Sequence, residues 1–273
     1  MSTAAPAAAA TASQVALRHR RSARRLTQGQ LADLREAVTR AQAIGDDRGY
    51  QYWAGIHGLP EPMYCQHEES PYFLPWHRAY LYFFEKQLQD RVPGVTLPWW
   101  DWTKDHDQGI PPAYARATAD GKKNPLASSP IQRRGRRDPK ETKTWRHPAG
   151  PNSPWLPSPR QLDRVIRGNR DFITFQVQLE DIHNGIHGWV GGTMGDLRVS
   201  AYDPVFWAHH CMIDRAWYLW QLEHPGAGAT LPADYLDSAL PPFRMTVRQT
   251  LDVTRLGYDY AAGTAAVPGT SGG

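Results

Sequence analysis

Residues 172–187 read FITFQVQLEDIHNGIH, and this stretch decides the fold class. Its apolar side chains recur every three or four positions, at Phe172, Phe175, Leu179, Ile182 and Ile186. This is the period of one face of an α-helix, so the stretch predicts a helix that packs into a core. His183 and His187 stand four positions apart on the same helix, which places both imidazoles on one side, about one turn apart.

The spacing of His183 and His187 is one that helical metal sites use, but the pair alone fits two histidines without a metal at least as well. A zinc-peptidase helix would carry a catalytic glutamate directly after the first histidine. Asn184 occupies that position, so the sequence disfavours a zinc hydrolase.

The helical period recurs in other parts of the chain. It predicts helices from Thr27 to Gly45, from about Asp46 to His57, from near Pro75 to Leu88, and over Phe206 to Leu222. Residues 103–159 lose the period and are rich in Pro, Gly, Lys and Arg, which indicates a long surface excursion. We therefore expect a mainly α protein, an antiparallel four-helix bundle surrounded by long loops.

Composition and charge exclude several classes of protein. The 273 residues are 41% hydrophobic and contain no apolar run of the roughly 18 residues that a membrane span needs. The net charge of +4 comes from five arginines in residues 1–25, because the rest of the chain has 26 basic and 27 acidic residues. A second arginine cluster at 133–137 is interpreted as a solvated loop, so we expect neither a nucleic-acid partner nor a membrane.

Three segments are expected along the chain: a disordered arm over residues 1–14, one domain over 15–262 and a flexible tail over 263–273. No secretory signal is recognisable, since no positive region precedes the apolar N-terminal stretch. We therefore expect a protein that is cytoplasmic or exported with a partner. Two cysteines do not make a disulfide scaffold.

Several histidines fall within apolar helical segments, where an imidazole without a partner would cost a few kcal/mol. They form two sets in chain order: His57, His67 and His77, then His183, His187 and His210. Two sets of three neutral imidazoles suit two copper ions, which favour nitrogen donors and keep positions open for dioxygen.

Four strings complete the pattern, FLPWHR at 73–78, LPWWDW at 97–102, HNGIH at 183–187 and DPVFWAHH at 203–210, the last followed by Asp214 and Arg215. Together they resemble the type 3 copper proteins, that is tyrosinases, catechol oxidases and haemocyanins, over about residues 50–225. The resemblance implies a dicopper site inside the helical bundle. It also implies that His210 is the ligand of the final pair, with His209 behind it.

The resemblance implies a chemical bond at Cys65, because Cys65-Gln66-His67 is similar to the C-x-H of fungal tyrosinases and molluscan haemocyanins. In those proteins a thioether joins the cysteine to the histidine ring. The bond would fix the orientation of the ring and remove an oxidisable thiol from beside copper. A free thiol and a disulfide to Cys211 are the alternatives.

As function, the resemblance implies oxidation of small phenols by dioxygen, with two copper ions as cofactor and O2 as co-substrate. Monophenols would be hydroxylated and o-diphenols oxidised to o-quinones. An o-aminophenol oxidase, or a catechol oxidase without activity on monophenols, would carry the same copper motifs. A haemocyanin-like oxygen carrier is disfavoured, because only thirteen residues follow Tyr260 and we expect no C-terminal shielding domain. A copper-delivery partner is a further expectation.

Fungal tyrosinases resemble this chain at Glu180, three positions before His183, where a glutamate holds a water that helps to deprotonate a phenol. Glu180 and Asn184 lie one turn apart, so both can reach a common water. The alternative for Glu180 is a surface carboxylate paired with an arginine. Leu197, Arg198 and Val199 are expected to shape the substrate entrance, where Arg198 would attract a carboxylated phenol.

Three structural motifs follow from the same resemblance. Asp214 and Arg215 are expected in an ion-pair network. Tyr258-Asp259-Tyr260 is similar to the Y-x-Y motif that closes the family's core domain, where an N-terminal arginine packs against it. Arg20 or Arg21 would supply that arginine.

Overall fold

A computed structural model describes residues 17–60, 62–67, 70–104, 109–132, 141–227 and 231–260. The expected arm, the tail, their boundaries and the arginine cluster at 133–137 lie outside the described residues. Within the described ranges, no helix combines the length and the hydrophobicity of a membrane-spanning segment.

The described chain is mainly helical, as expected. The helices are α1 (Gln28–Gln42), α2 (Tyr50–His57), α3 (Phe73–Gln89), α4 (Pro112–Ala115), α5 (Pro159–Gly168), α6 (Phe172–Val190), α7 (Pro204–Glu223), α8 (Ala233–Leu236) and α9 (Val247–Thr250), with 3₁₀ turns at Gly192–Gly195 and Ser200–Tyr202. The strands are β1 (Arg18–Arg20), β2 (Thr118–Ala119), β3 (Lys122–Lys123) and β4 (Tyr258–Tyr260). β2 pairs with β3 in antiparallel orientation, and β1 pairs with β4 in parallel orientation.

The core lies where α2, α3, α6 and α7 meet, and aromatic side chains fill it. Both α3 and α7 are apolar nearly all round, and most of their residues are buried because they lie at the centre of the bundle. Phe84 of α3 stacks on Trp207 of α7, with ring centroids 3.5 Å apart. The expected four-helix bundle is confirmed.

Two predicted helix starts were wrong by a few residues. α2 begins at Tyr50 and not near Asp46, because the Asp46 carboxylate accepts hydrogen bonds from Arg48 and its carbonyl accepts one from Gly49, which makes a turn. α3 begins at Phe73 and not near Pro75. A proline in the first turn costs no hydrogen bond, since the N–H groups there have no partner within the helix.

The two ends of the described chain are joined through Arg20, which is fully buried. Its guanidinium stacks over the Tyr258 ring at 3.7 Å and donates to the Tyr260 hydroxyl at 3.1 Å. It also forms ion pairs with Glu85 at 3.0 Å and Asp214 at 3.3 Å. Arg20 therefore supplies the expected partner of the Y-x-Y motif.

The network around Asp214 differs from the expectation in one member. Asp214 pairs with Arg78 of α3 and with Arg20, and it accepts a hydrogen bond from Tyr258 at 2.8 Å. Arg215 does not join this network, because it follows Asp214 on α7 and its side chain projects from a different face of the helix. Its guanidinium lies 4.2 Å from the centre of the Trp99 ring.

Candidate metal centre

The first histidine group is brought together by α2, α3 and the loop between them. His57 is the last residue of α2, His67 lies in the loop, and His77 is in the second turn of α3. Their ring centroids are 5.0 to 5.6 Å apart. The Nε2 atoms of His57 and His67 lie 3.2 Å from each other.

The second group stands on α6 and α7. His183 and His187 occupy one side of α6, and His210 approaches them from α7. The Nε2 atom of His210 lies 3.2 Å from that of His183 and 3.4 Å from that of His187. The two groups are neighbours, since the rings of His77 and His210 stack with centroids 4.5 Å apart.

The opposite ring nitrogens of most of these histidines are held by acceptors. His57 Nδ1 bonds to the Leu197 carbonyl at 3.1 Å, His77 Nδ1 to the Phe73 carbonyl at 2.8 Å, and His187 Nδ1 to the Met194 carbonyl at 2.7 Å. Because a carbonyl oxygen only accepts, each Nδ1 carries the ring proton. Each Nε2 then presents a lone pair, which is the tautomer that a metal ligand needs.

Burial keeps five of the six imidazoles neutral at pH 7. It lowers the pKa of His57, His77, His183 and His210 well below the ordinary value, and the neighbouring imidazoles lower it further. Burial also lowers the pKa of His187 to about 4. A neutral imidazole is the form that binds metal.

The donor set fits two copper ions. Lone pairs that face each other across little more than 3 Å repel, and a cation between them removes that repulsion. The Nε2 atom of His77 is buried with no hydrogen-bond partner among the described residues. A site made only of imidazole nitrogens suits a first-row metal such as copper and does not suit calcium or magnesium.

His209 lies in the same cluster as His183, His187 and His210. The indole N–H of Trp102 donates to His209 Nδ1 at 3.2 Å, so the proton of a neutral His209 resides on Nε2. His209 therefore has no free lone pair for a metal in this arrangement. This geometry supports the assignment of His210 as the ligand and of His209 as a residue behind it.

The segment 194–197 orients one ligand in each group, a role that the sequence did not reveal. Its main-chain carbonyls bind His187 and His57, as described above, and the neighbouring Arg198 carbonyl accepts from Leu59 N–H at 2.8 Å. A Cβ at Gly58 would lie 2.2 Å from the Arg198 oxygen, so only glycine permits this approach. The glycine after His57 was the signal that the sequence offered.

Cys65 lies close to the first group. Its sulfur and one ring nitrogen each of His57 and His67 are within 4.8 Å of one another. Burial raises the pKa of this half-buried thiol to about 12. Cys211 is fully buried on α7, and both cysteines are free thiols in the structure.

Glu180 and Asn184 lie beside different histidine groups. Glu180 is buried, with 3% of its surface exposed, and its Oε1 lies 3.6 Å from Nδ1 of His67 in the first group. Asn184 is exposed, and its Oδ1 lies 3.0 Å from Nδ1 of His183 in the second group. Glu180 is thus not a surface carboxylate, and the pair spans the junction of the two groups.

The three expected entrance residues differ in exposure. Leu197 is half-buried, Arg198 is exposed and Val199 is buried. The Arg198 guanidinium forms two hydrogen bonds to the carboxylate of Asp196, at 2.9 and 2.6 Å, so its charge is already compensated.

Comparisons with known proteins agree with this site. The family described as the common central domain of tyrosinase matches residues 47–223. Haemocyanin units G and H of Sepia officinalis are 31% identical over 223 residues, which cover 74% of this chain and 37% of that protein. The tyrosinase of Streptomyces antibioticus is 32% identical over 213 residues, covering 68% of this chain and 78% of that protein.

A solved functional unit of octopus haemocyanin superposes with a TM-score of 0.75 at 29% identity, covering 89% of this chain and 68% of that one. The chain thus spans little more than a third of the Sepia haemocyanin and most of the Streptomyces tyrosinase. The family match includes six of the helices, α2 to α7, and all six histidines of the two groups. The chain belongs to the tyrosinase family of dinuclear type 3 copper proteins.

Proposed function

We propose that this protein oxidises small phenols with dioxygen at a dinuclear copper centre, hydroxylating monophenols and converting o-diphenols to o-quinones. One observation carries the proposal: two neighbouring groups of three imidazoles bring Nε2 atoms within 3.2 to 3.4 Å of one another inside the bundle. His57, His67 and His77 would hold one copper, and His183, His187 and His210 the other. Bound copper would supply the binding and reduction of dioxygen.

The protein contributes orientation and a dry site. The carbonyls of Phe73, Met194 and Leu197 fix the rotation of three ligand rings. His57, His77, His183 and His210 are at most 2% exposed, so little water reaches the ligand nitrogens. Fixed rings in a dry pocket keep the ligand geometry unchanged when the metal changes oxidation state.

Glu180 is the proposed acceptor of the phenol's proton. A phenol with a pKa of about 10 is almost entirely protonated at pH 7, so its hydroxyl proton must be removed within the site. The carboxylate of Glu180 is buried beside His67, at the junction of the two groups. Asn184, one turn further on α6, would hold a water that carries the proton to it.

The likeness to haemocyanins favours one alternative, reversible binding of oxygen without turnover. An oxygen carrier moves no substrate proton and has no need of a buried carboxylate beside its ligands. Glu180 therefore supports the oxidase. An o-aminophenol oxidase, or a catechol oxidase without monophenol activity, would use the same ligands and differ only in the accepted substrate.

Other parts of the proposal concern the surroundings of the site. Leu197, with its half-buried side chain, and Val199 would shape the substrate entrance. A carboxylated substrate would have to compete with Asp196 for Arg198. We also propose the thioether between Cys65 and His67 and a copper-delivery partner.

The test is metal analysis combined with oxygen uptake. Copper-loaded protein is assayed with tyramine, L-tyrosine, catechol and o-aminophenol, and zinc-loaded protein is the control because zinc has no redox chemistry. We expect two coppers per chain and oxygen uptake with phenols only in the copper form. Full activity with one copper per chain, or oxygen binding without uptake, would contradict the proposal.

A further inference from the structure

A second concave site lies between α5 and α7. It is a groove of about 950 Å³, within the size range of small-molecule sites, and none of the six proposed copper ligands lines it. α7 contributes to the groove only residues after His210. The groove is therefore distinct from the copper centre.

One wall of the groove holds a buried cation, Arg215. This residue is 4% exposed, and its Nε–H has no hydrogen-bond partner among the described residues. No described carboxylate forms an ion pair with Arg215. Asp101, which lines the same groove, attracts its charge from a longer distance. Stacking on Trp99 holds the guanidinium in place through its flat face. The N–H groups along its edge take no part in this contact.

The groove carries a surplus of positive charge. Among the described residues, five basic and three acidic ones line it. Two of the acids, Asp163 and Glu223, are already paired with Arg167, at 2.8 and 3.1 Å. Asp101 is then the remaining acid, and Thr103 donates a hydrogen bond to it at 2.6 Å.

Most of the rest of the lining is apolar, apart from Ser158 and Gln161. Leu162 and Ile166 come from α5, and Met212, Leu219 and Leu222 come from α7. Leu222 is 59% exposed, so much of its apolar side chain is in contact with solvent. A ligand with an apolar body would cover these side chains.

We propose that this groove binds a small amphipathic monocarboxylate, with the carboxylate on Arg215 and the apolar body along α5 and α7. A carboxylate matches the planar guanidinium, and its negative charge is attracted by the surplus of positive charge. An inorganic anion would leave the apolar walls in contact with water.

The probe is octanoate, titrated into copper-loaded protein by isothermal calorimetry. Octan-1-ol has the same apolar body without the charge, and inorganic phosphate has charge without the apolar body. We expect saturable binding of one octanoate per chain, and affinities at least about tenfold lower for the other two probes. Phosphate binding as tightly as octanoate, or no saturable octanoate binding, would overturn the proposal.

Two variants test whether octanoate binds in the groove. Arg215→Met keeps the stacking bulk on Trp99 but removes the charge, and it should weaken octanoate about tenfold or more. Leu222→Asp is a surface change that adds a like charge to the groove and should also weaken octanoate. Ile173→Asp makes the same exchange at another exposed position, outside the groove, and should leave the affinity unchanged.

These variants also separate the groove from the copper centre, to which a carboxylate could bind directly. If Leu222→Asp and Ile173→Asp both bind octanoate like the unmodified protein, the octanoate is not in the groove and the proposal fails. Copper content, measured on each variant, verifies that the fold around α7 is intact. The outcome does not depend on whether the protein oxidises phenols.

Discussion

Replacing Glu180 by Gln should lower the turnover of monophenols far more than that of o-diphenols. Glutamine keeps the size of the side chain and removes its ability to accept a proton. An o-diphenol loses its first proton more readily, because the adjacent hydroxyl donates a hydrogen bond to the phenolate. A monophenol has no such help and depends on the carboxylate.

The size of the effect follows from the surroundings of Glu180. A phenol with a pKa of about 10 is ionised in roughly one molecule of a thousand at pH 7, and a positioned base typically contributes about 10²- to 10⁴-fold. Because Glu180 Oε1 also lies 3.6 Å from His67 Nδ1, the substitution will disturb that ring and slow both substrates by a common factor. The ratio of the two kcat/KM values cancels this factor, and we expect the ratio to fall about 10- to 100-fold.

The assay is oxygen uptake with 4-methylphenol and 4-methylcatechol, which differ only by the second hydroxyl. Asp181→Asn is the matched control, since this carboxylate is the next residue on α6 and is exposed. The control should keep the ratio, and both variants should keep two coppers. An equal loss on both substrates, or no loss on either, would show that Glu180 does not accept the phenol's proton.

Three further predictions concern the metal ligands, the cysteine and the buried network. His210→Ala should lose a copper together with the activity, whereas His209→Asn should keep both coppers, because Trp102 already uses the Nδ1 lone pair of His209; metal analysis distinguishes the two. Mature copper-treated protein should be two hydrogens lighter than its sequence mass, with Cys65 and His67 in one cross-linked peptide; stoichiometric alkylation of Cys65 in unfolded, previously active protein would exclude the bond. Asp214→Asn should reduce the free energy of unfolding in urea by about 3–5 kcal/mol, because it leaves buried arginine charge uncompensated. Burial alone would raise the pKa of Asp214, but Arg78 and Arg20 hold it below the ordinary value. The difference in the free energy of unfolding between the unmodified protein and the variant should therefore be complete above about pH 4. It should disappear as the pH falls through the lower pKa of the folded state.

The helices and most ligands were predictable because their signals are local. The period of apolar residues in α6 and α7 places His183, His187 and His210 without knowledge of the rest of the fold. Motif resemblance was needed for His67, which lies in a loop without any period. It also identified the Y-x-Y motif, although two candidate arginines remained until the strand register selected Arg20.

Features that depend on the main chain or on packing were not predictable. The carbonyls of Met194 and Leu197 orient two ligands, but every residue has a carbonyl, and only the glycine at position 58 indicated a close approach of this segment. The start of α2 was missed because a turn stabilised by the Asp46 side chain competes with the helix there. The side chain of Arg215 stacks on Trp99 from a distant part of the chain, which no local pattern indicates.

The main-chain hydrogen bonds from segment 194–197 to two ligand histidines limit how this protein can change in evolution. Because the carbonyls hold the ligand rings, the side chain at Leu197 is free to be exchanged without turning His57. Point substitutions along the segment can therefore alter the shape of the entrance and leave the metal geometry intact. An insertion or deletion would shift both carbonyls at once and disturb one ligand of each copper. We expect the length of this segment to be under stricter selection than its residues.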